Sequence, residues 1–323
     1  MRHHPPLLLC TLALVRPGAE AFSVHPARRR PRAACHVPRA AKQQLGEFDV
    51  LNVAADPCDR KVEFYDYAAL EPMGYQSAWD FQKELMEKQL VRIASEIAEG
   101  SGGLYTGKQF LGGANTGANG GGGGDEDGDR GNDAVIMLQH EPVYTLGTGS
   151  DQGYIKDRTE EGGGAGAGAG VDIVRIERGG EVTYHGPGQL VVYPILDLRG
   201  YRQDIHWYMR ALEEAVLLAL EGAGIDGAAR EDSVTGIWIE GAKVAALGVK
   251  VRRWVTMHGL AVNVDHRSLD NFGGIVPCGL EGRSVTCIND HLAPGQEALT
   301  VQDFAHHMKE ALEQILQVEM KPR

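Results

Sequence analysis

The chain has 323 residues, of which 43% are hydrophobic, 24% charged and 7% aromatic, a globular composition apart from its 43 glycines. The glycines keep no three-residue period, and no apolar run approaches the ~18 residues of a membrane span, so a collagen-like helix and a spanning segment are both excluded. The formal net charge is −12, but residues 1–40 hold seven arginines and one acid, which leaves the rest of the chain at −18; so acidic a body argues against general nucleic-acid binding.

Residues 1–45 read as a targeting presequence. Arg2, an apolar stretch over residues 7–15 and Ala19-Glu20-Ala21 make residues 1–21 signal-peptide-like. Phe22 follows, then Ser23, Arg28, Arg29, Arg30, Arg32 and Arg39 with no acid among them, so residues 22–45 have transit-peptide composition. The two-part leader resembles the presequences of plastids acquired by secondary endosymbiosis. It makes a plastid the expected destination, with a mitochondrion as the alternative. Cys10 and Cys35 fall in this leader, and the remaining Cys58, Cys278 and Cys287 form neither a disulfide framework nor a metal-type spacing. Three reduced thiols leave one available for chemistry.

Past the leader, Ala78, Phe81, Leu85, Leu90, Ile93 and Ile97 recur at helical intervals and predict an amphipathic helix over residues 76–99. Twenty of the 43 glycines then fall in two patches, at about residues 100–132 and 160–170, too polar and flexible to bury a core; they read as disordered insertions in one domain spanning residues 60–320. Residues 134–138 suit a buried strand, residues 145–158 a loop, and residues 172–176 and 189–198 further strands. Asp204 is a candidate N-cap for a helix carrying Ile205, Met209, Leu212, Val216 and Leu220 that stops near Gly222 and Gly224. Strand-like runs follow over residues 236–240, 243–251 and 259–264, the first two joined by the tight turn Glu240-Gly241-Ala242. Thr300 and Asp303 make a capping box for a last helix bearing Phe304, Met308, Leu312 and Leu316. Hairpins among helices, without strict strand–helix alternation, indicate an α+β fold with a mixed, largely antiparallel sheet flanked by helices.

Three segments could carry chemistry. Residues 178–189 pack four glycines, Arg178, His185 and Pro187 between two strands, so backbone amides can approach a ligand closely, although two turns bracketing a short strand would look the same. The segment lacks the lysine and spacing of a phosphate-binding loop. Pro277-Cys278-Gly279 fixes the backbone before a thiol and opens its far side, which suits a nucleophile, and equally a structural loop cysteine. Lys243 opens a strand whose alternate residues are apolar. Facing the core it would be desolvated and able to serve as a base for a thiol; facing solvent it is an ordinary hairpin residue. Cys287, in the apolar run Val285-Thr286-Cys287-Ile288, reads as a core thiol, and Arg252-Arg253 is the densest basic spot of the acidic body.

Taken together, residues 178–189, Val192-Tyr193-Pro194-Ile195, Pro142-Val143-Tyr144-Thr145-Leu146-Gly147, residues 243–248, His258-Gly259-Leu260-Ala261-Val262-Asn263-Val264 and Pro277-Cys278-Gly279 resemble the lipoyl(octanoyl) transferases of lipoate biosynthesis. The likeness runs in order from about residue 62 to about residue 318. It implies the fold of the biotin and lipoate protein ligase catalytic domains and a dyad of Cys278 as nucleophile with Lys243, which would lower the thiol pKa and act as general acid and base. An octanoyl group would pass from octanoyl-acyl carrier protein, through a Cys278 thioester, to a lysine ε-amine on lipoyl domains of 2-oxoacid dehydrogenase complexes or of the glycine cleavage H protein. The implied substrate-binding residues are Arg178, Gly179, Gly180, Glu181, Val182, Thr183, Tyr184, His185, Ala246, Leu247, Gly248, Gly259, Leu260 and Ala261, whose backbone amides are candidates for the oxyanion site. Because thioester-to-amide transfer runs downhill, no cofactor, ATP or metal is implied, and neither a membrane nor a nucleic acid is an expected partner. Val276 stands where many members carry Asn. The competing readings are an ATP-dependent lipoate–protein ligase and a non-catalytic module that binds acyl carrier protein or lipoyl domains through Arg252 and Arg253.

Overall fold

The computed structural model describes residues 61–100, 132–155, 170–231, 234–276 and 283–323. The expected presequence, Cys58, nearly all of both glycine-rich insertions and Pro277-Cys278-Gly279 lie outside the described residues.

The chain order is β1 (Lys61–Asp66), α1 (Tyr75–Gly100), β2 (Ala134–Leu138), β3 (Val143–Leu146), β4 (Asp172–Arg175), β5 (Val182–His185), β6 (Gln189–Ile195), α2 (Ile205–Gly222), β7 (Ala228–Arg230), β8 (Ile237–Ile239), β9 (Ala242–Arg252), β10 (Val255–Asn263), α3 (Val301–Leu316) and β11 (Glu319–Pro322). Eight strands form one sheet in the order β11-β1-β2-β6-β10-β9-β8-β7, and β4-β3-β5 form a second. In the large sheet β1 runs parallel to β11 and β2, and every other pairing is antiparallel. The mixed, largely antiparallel sheet expected from the sequence is therefore present. Short β1, β7 and β11 are not legible in the sequence, and β3 runs through Thr145 and Leu146, where the sequence suggests a loop.

The central strands β2, β6 and β10 are buried at every position because both faces of the sheet are covered, and β2 is apolar throughout. On β2, Val135 and Met137 join the core under α2 and α3 with Leu212, Trp207, Phe304 and Leu312. Ala134, Ile136 and Leu138 point the other way, onto Leu85, Leu90 and Ile93 of α1. The same alternation on β6 sends Leu190 and Val192 to one face, Val191 and Tyr193 to the other.

Local signals place the ends of these elements. The Asp204 side chain accepts from Trp207 N–H and caps α2, which ends with Gly224 at φ +77°. Thr300 and Asp303 form the reciprocal capping box of α3. Glu240 and Gly241 at φ 51° and 80° turn β8 into β9, as a type I′ hairpin needs. Arg253 and Trp254, at φ 50° and 69°, make the equivalent turn into β10 without a glycine, which is why the start of β10 at Val255 gives no sequence signal.

The β9–β10 hairpin brings separate segments of the chain into contact. Its register pairs Gly248 with Gly259, Leu247 with Leu260 and Ala246 with Ala261. Two of the segments implied to bind substrate are thus laid side by side. Gly259 also sits so close to β6 that a Cβ there would lie 2.2 Å from the Val192 carbonyl oxygen.

Leu212 is fully buried between the helical layer and the sheet. Leu212→Ala is expected to cost about 3 kcal/mol, read as a lower urea midpoint at unchanged m-value. Thr300→Ala, which removes only the α3 cap, is expected to cost about 1 kcal/mol on the same assay.

Candidate active site

Where β9, β10 and the loop before β5 meet, a cavity of about 180 Å³ opens. Its walls include Arg178, Gly180, Glu181, Thr183 and His185 from one segment, Lys243 and Ala246-Leu247-Gly248 from β9, and Gly259-Leu260-Ala261 from β10. Separate stretches of sequence implied to bind substrate therefore converge on one space. Val182 and Tyr184 do not line it. By strand alternation they turn away, into the small sheet's core with Tyr144, Leu146 and Phe272.

Residues 178–180 lie flat against the large sheet. Gly179 N–H donates to the Val249 carbonyl at 3.2 Å, and a Cβ on Gly248 would stand 3.0 Å from both Gly179 O and Arg178 Cδ. The Gly179 amide is therefore engaged in holding the loop on β9. Arg178 is buried and donates to the carbonyl and hydroxyl of Thr145 and to Gly179 O, so its charge stands in the cavity wall in a fixed position.

Lys243 is buried, at 6% exposure. The aliphatic stem packs over Gly236, where a Cβ would fall 3.1 Å from Lys243 Cε, and the ammonium lies 4.8 Å from the centre of the Trp238 ring. On its backbone, Lys243 N–H donates to Ser284 O at 3.0 Å and Thr286 N–H donates to Lys243 O at 3.0 Å. Cys278 lies outside the described residues, but the chain on both sides of its segment is anchored. Before it, Val276 N–H donates to Tyr154 O, and after it residues 284–286 pair with Lys243. Cys287 is fully buried and its thiol donates to Asp290; burial, reinforced by that carboxylate, pushes it up to about 12, which makes it an inert core thiol. Arg252 and Arg253 lie at the β9–β10 turn, Arg252 within 4.0 Å of Glu87.

The cavity also has members that sequence reasoning missed, among them Tyr75, Val191, Tyr193 and His258. Tyr193 and His258 sit in segments already singled out, whereas Tyr75 opens α1 and carries no motif. With His140 and His185 they form a cluster of rings. His140 Nδ1 donates to the Met73 carbonyl at 2.9 Å, so Nε2 accepts from Tyr193 Oη at 2.7 Å. His185 Nδ1 donates to Gln189 Oε1 at 2.7 Å; Gln189 donates to Asn263 Oδ1, and Asn263 to the Thr286 carbonyl. This relay ends on the residue that pairs with Lys243. His258 adopts φ 60° within β10, its N–H donates to Gln82 Oε1, and its buried Nε2 meets no partner among the described residues. Burial holds His140 down to about 4; burial, with the neighbouring Arg178 charge contributing, holds His185 and His258 down to about 3. All three imidazoles are neutral at pH 7.

These histidines fix a pH dependence. In the unfolded chain they protonate near pH 6.5, in the fold only near 3–4, so between those values the unfolded state binds more protons and stability falls on acidification. The slope is about 1.4 kcal/mol per pH unit for each histidine. Urea midpoints at about pH 7 and about pH 5 are expected to show the loss, and His140→Gln to reduce it.

Residues 125–313 match the family described as the lipoyl protein ligase A/B catalytic domain. An octanoyltransferase of Gloeobacter violaceus is 55% identical over 148 residues, 46% of this chain and 62% of that protein's length. A chloroplastic octanoyltransferase of Arabidopsis thaliana is 42% identical over 195 residues, 58% of this chain and 67% of the relative. One from Nostoc punctiforme is 44% identical over 188 residues, 58% of this chain and 76% of the relative. Among solved structures, a bipartite lipoate protein ligase of Thermoplasma acidophilum superposes with a TM-score of 0.49 at 14% identity, covering 81% of this chain and 87% of that one.

Proposed function

The chain belongs to the family of lipoyl protein ligase A/B catalytic domains, and from that membership and the pocket beside Lys243 we propose that it transfers an octanoyl group from octanoyl-acyl carrier protein, through a thioester on Cys278, to a lysine of a lipoyl domain. The observation that carries the reading is the apolar-walled cavity with a buried lysine at its edge. Ile176, Val191, Val234, Leu247 and Leu260 offer an alkyl chain a lining without charge. At about 0.8 kcal/mol per methylene, the seven carbons beyond the carbonyl are worth roughly 5 kcal/mol on burial, enough to hold the acyl group in place during two successive transfers.

In the first transfer the Cys278 thiolate, favoured by the Lys243 ammonium, attacks the thioester carbonyl. The bond from that carbon to the carrier sulfur breaks, and the departing thiolate takes its proton from Lys243. In the second, the acceptor's ε-ammonium gives one proton to the Lys243 amine and attacks the acyl carbon through its freed lone pair. The carbon–sulfur bond to Cys278 breaks, the nitrogen's second surplus proton leaves to solvent, and the thiolate–ammonium pair is restored. Residues 284–286, bonded to Lys243, carry the chain away from the Cys278 segment at that lysine's side, which supports the dyad. The neutral imidazoles of His185 and His258 leave the cavity without added cations that would oppose an incoming ammonium. The fourteen residues implied to bind substrate divide in this reading: those on the cavity wall, Glu181 apart, contact the acyl group and its donor, while Val182, Tyr184 and Gly179 hold the wall in shape. A plastid is the proposed destination, supported by the chloroplastic Arabidopsis relative and by the composition of residues 1–45.

Incubation with octanoyl-acyl carrier protein followed by intact-mass measurement is expected to show a single octanoyl adduct that Cys278→Ser abolishes. An adduct that survives this substitution would overturn the assignment. Lys243→Ala is expected to slow alkylation of Cys278 by iodoacetamide at neutral pH by at least about tenfold, since fewer thiolates are present; an unchanged rate would remove Lys243 from the dyad.

A further inference from the structure

Two polar atoms in the cavity wall are left without partners among the described residues, His258 Nε2 and Glu181 Oε2, and only the second belongs to an acid. The Arg178 guanidinium is occupied by Thr145 and Gly179, and the His185 imidazole by Gln189. Glu181, just before β5, is the one acid among the described residues that line the cavity. Its Oε2 is buried and meets no donor among the described residues, while Oε1 is packed against Gly149, where a Cβ would stand only 3.3 Å away. The carboxylate is thus held by contact on one oxygen and unsatisfied on the other. A buried carboxylate oxygen without a donor costs free energy that an arriving cation would recover.

The proposed reaction brings one such cation to this space. The acceptor lysine, with an ordinary pKa of about 10.4, enters as an ammonium at neutral pH. The thioester donor carries no positive charge at its reacting group. We propose, building on the acyl-transfer reading above, that the Glu181 carboxylate is the docking point for the acceptor's ε-ammonium. Glu181 Oε2 accepts one of its three N–H bonds and presents the nitrogen to the acyl carbonyl until Lys243 removes a proton. Glu181 is a positioning residue for the second transfer and has no part in the first. The surrounding wall makes the contrast sharper. Arg178 is cationic and the imidazoles are neutral, so an ammonium has a single anionic partner there.

The test separates the two transfers. Glu181→Gln keeps the shape and the contact with Gly149 but removes the charge. Full-length wild type and variant are each octanoylated on the enzyme, checked by intact mass, and then mixed with a lipoyl domain or with hydroxylamine, a nucleophile that is neutral at pH 7. The expected result is loss of at least about tenfold in the rate of transfer to the lipoyl-domain lysine, appearing mainly as a raised KM for the acceptor, with a much smaller change in deacylation by hydroxylamine and in the initial acylation. Equal loss with both nucleophiles would show that the substitution only disturbs the wall, and an unchanged rate with the lysine would show that the carboxylate does not meet the ammonium. Either result overturns the proposal while leaving the acyl-enzyme standing. Absence of any octanoyl adduct on the wild type would instead overturn the acyl-transfer reading and this proposal with it.

Discussion

The site rests on bare backbone at Gly248. Because no side chain projects there, the loop carrying Arg178 and Gly179 can lie directly on β9, with Arg178 Cδ and Gly179 O both at the limit of contact with the Cβ position and Gly179 N–H bonded to Val249 O. That contact joins the small sheet, whose β5 continues the same segment, to the hairpin that supplies Lys243. A methyl group at residue 248 would lift the loop and with it the Arg178, Glu181 and His185 positions together. The geometry of the cavity is therefore a property of one backbone approach, which the β9–β10 register then repeats by setting Gly259 opposite Gly248.

Around that approach the protein places polar groups in an apolar setting and keeps most of them uncharged. His140 and Tyr193 satisfy each other, and the His185–Gln189–Asn263–Thr286 relay reaches from the cavity wall to the partner of Lys243. A satisfied buried network of this kind rigidifies what it connects. Two atoms stand outside it, His258 Nε2 and Glu181 Oε2, and both belong to residues on the cavity wall. A ligand in the cavity could complete either of them.

The sequence makes part of this architecture visible and conceals the rest for identifiable reasons. Asp204, the Thr300–Asp303 box and Glu240-Gly241 are short-range chemistry, and each one marks an element end that the fold keeps. The apolar run of β2 is equally legible because burial on both faces suppresses alternation. β7 and β11 are short and partly exposed, three and four residues long, and β11 pairs with β1 from the far end of the chain, so little in the local sequence announces them. The turn at Arg253-Trp254 uses left-handed backbone without glycine or asparagine, so its residues give no warning. At the site, residues 178–185 and Lys243 stand out by composition and by resemblance, but a motif names a segment and not the direction its side chains take. Strand alternation sends Val182 and Tyr184 into the small core, and packing brings Tyr75 to the cavity from the start of a helix.

The two backbone bonds at Lys243 have a consequence for motion. Residues 284 and 286 are tied to the lysine's own N–H and C=O, in a parallel bridge beyond the β8–β9 pairing. Local opening of a protein proceeds in cooperative units bounded by such bonds. Any excursion that peels residues 284–286 from the sheet strips the lysine of both bonds in the same event, and it also breaks the Asn263 contact to the Thr286 carbonyl that ends the relay from His185. The strand holding Lys243 and the described chain beyond the Cys278 segment therefore form one opening unit. Fraying on one side is registered at once on the other, so the lysine's place in the fold and the exit of that segment are lost or kept together.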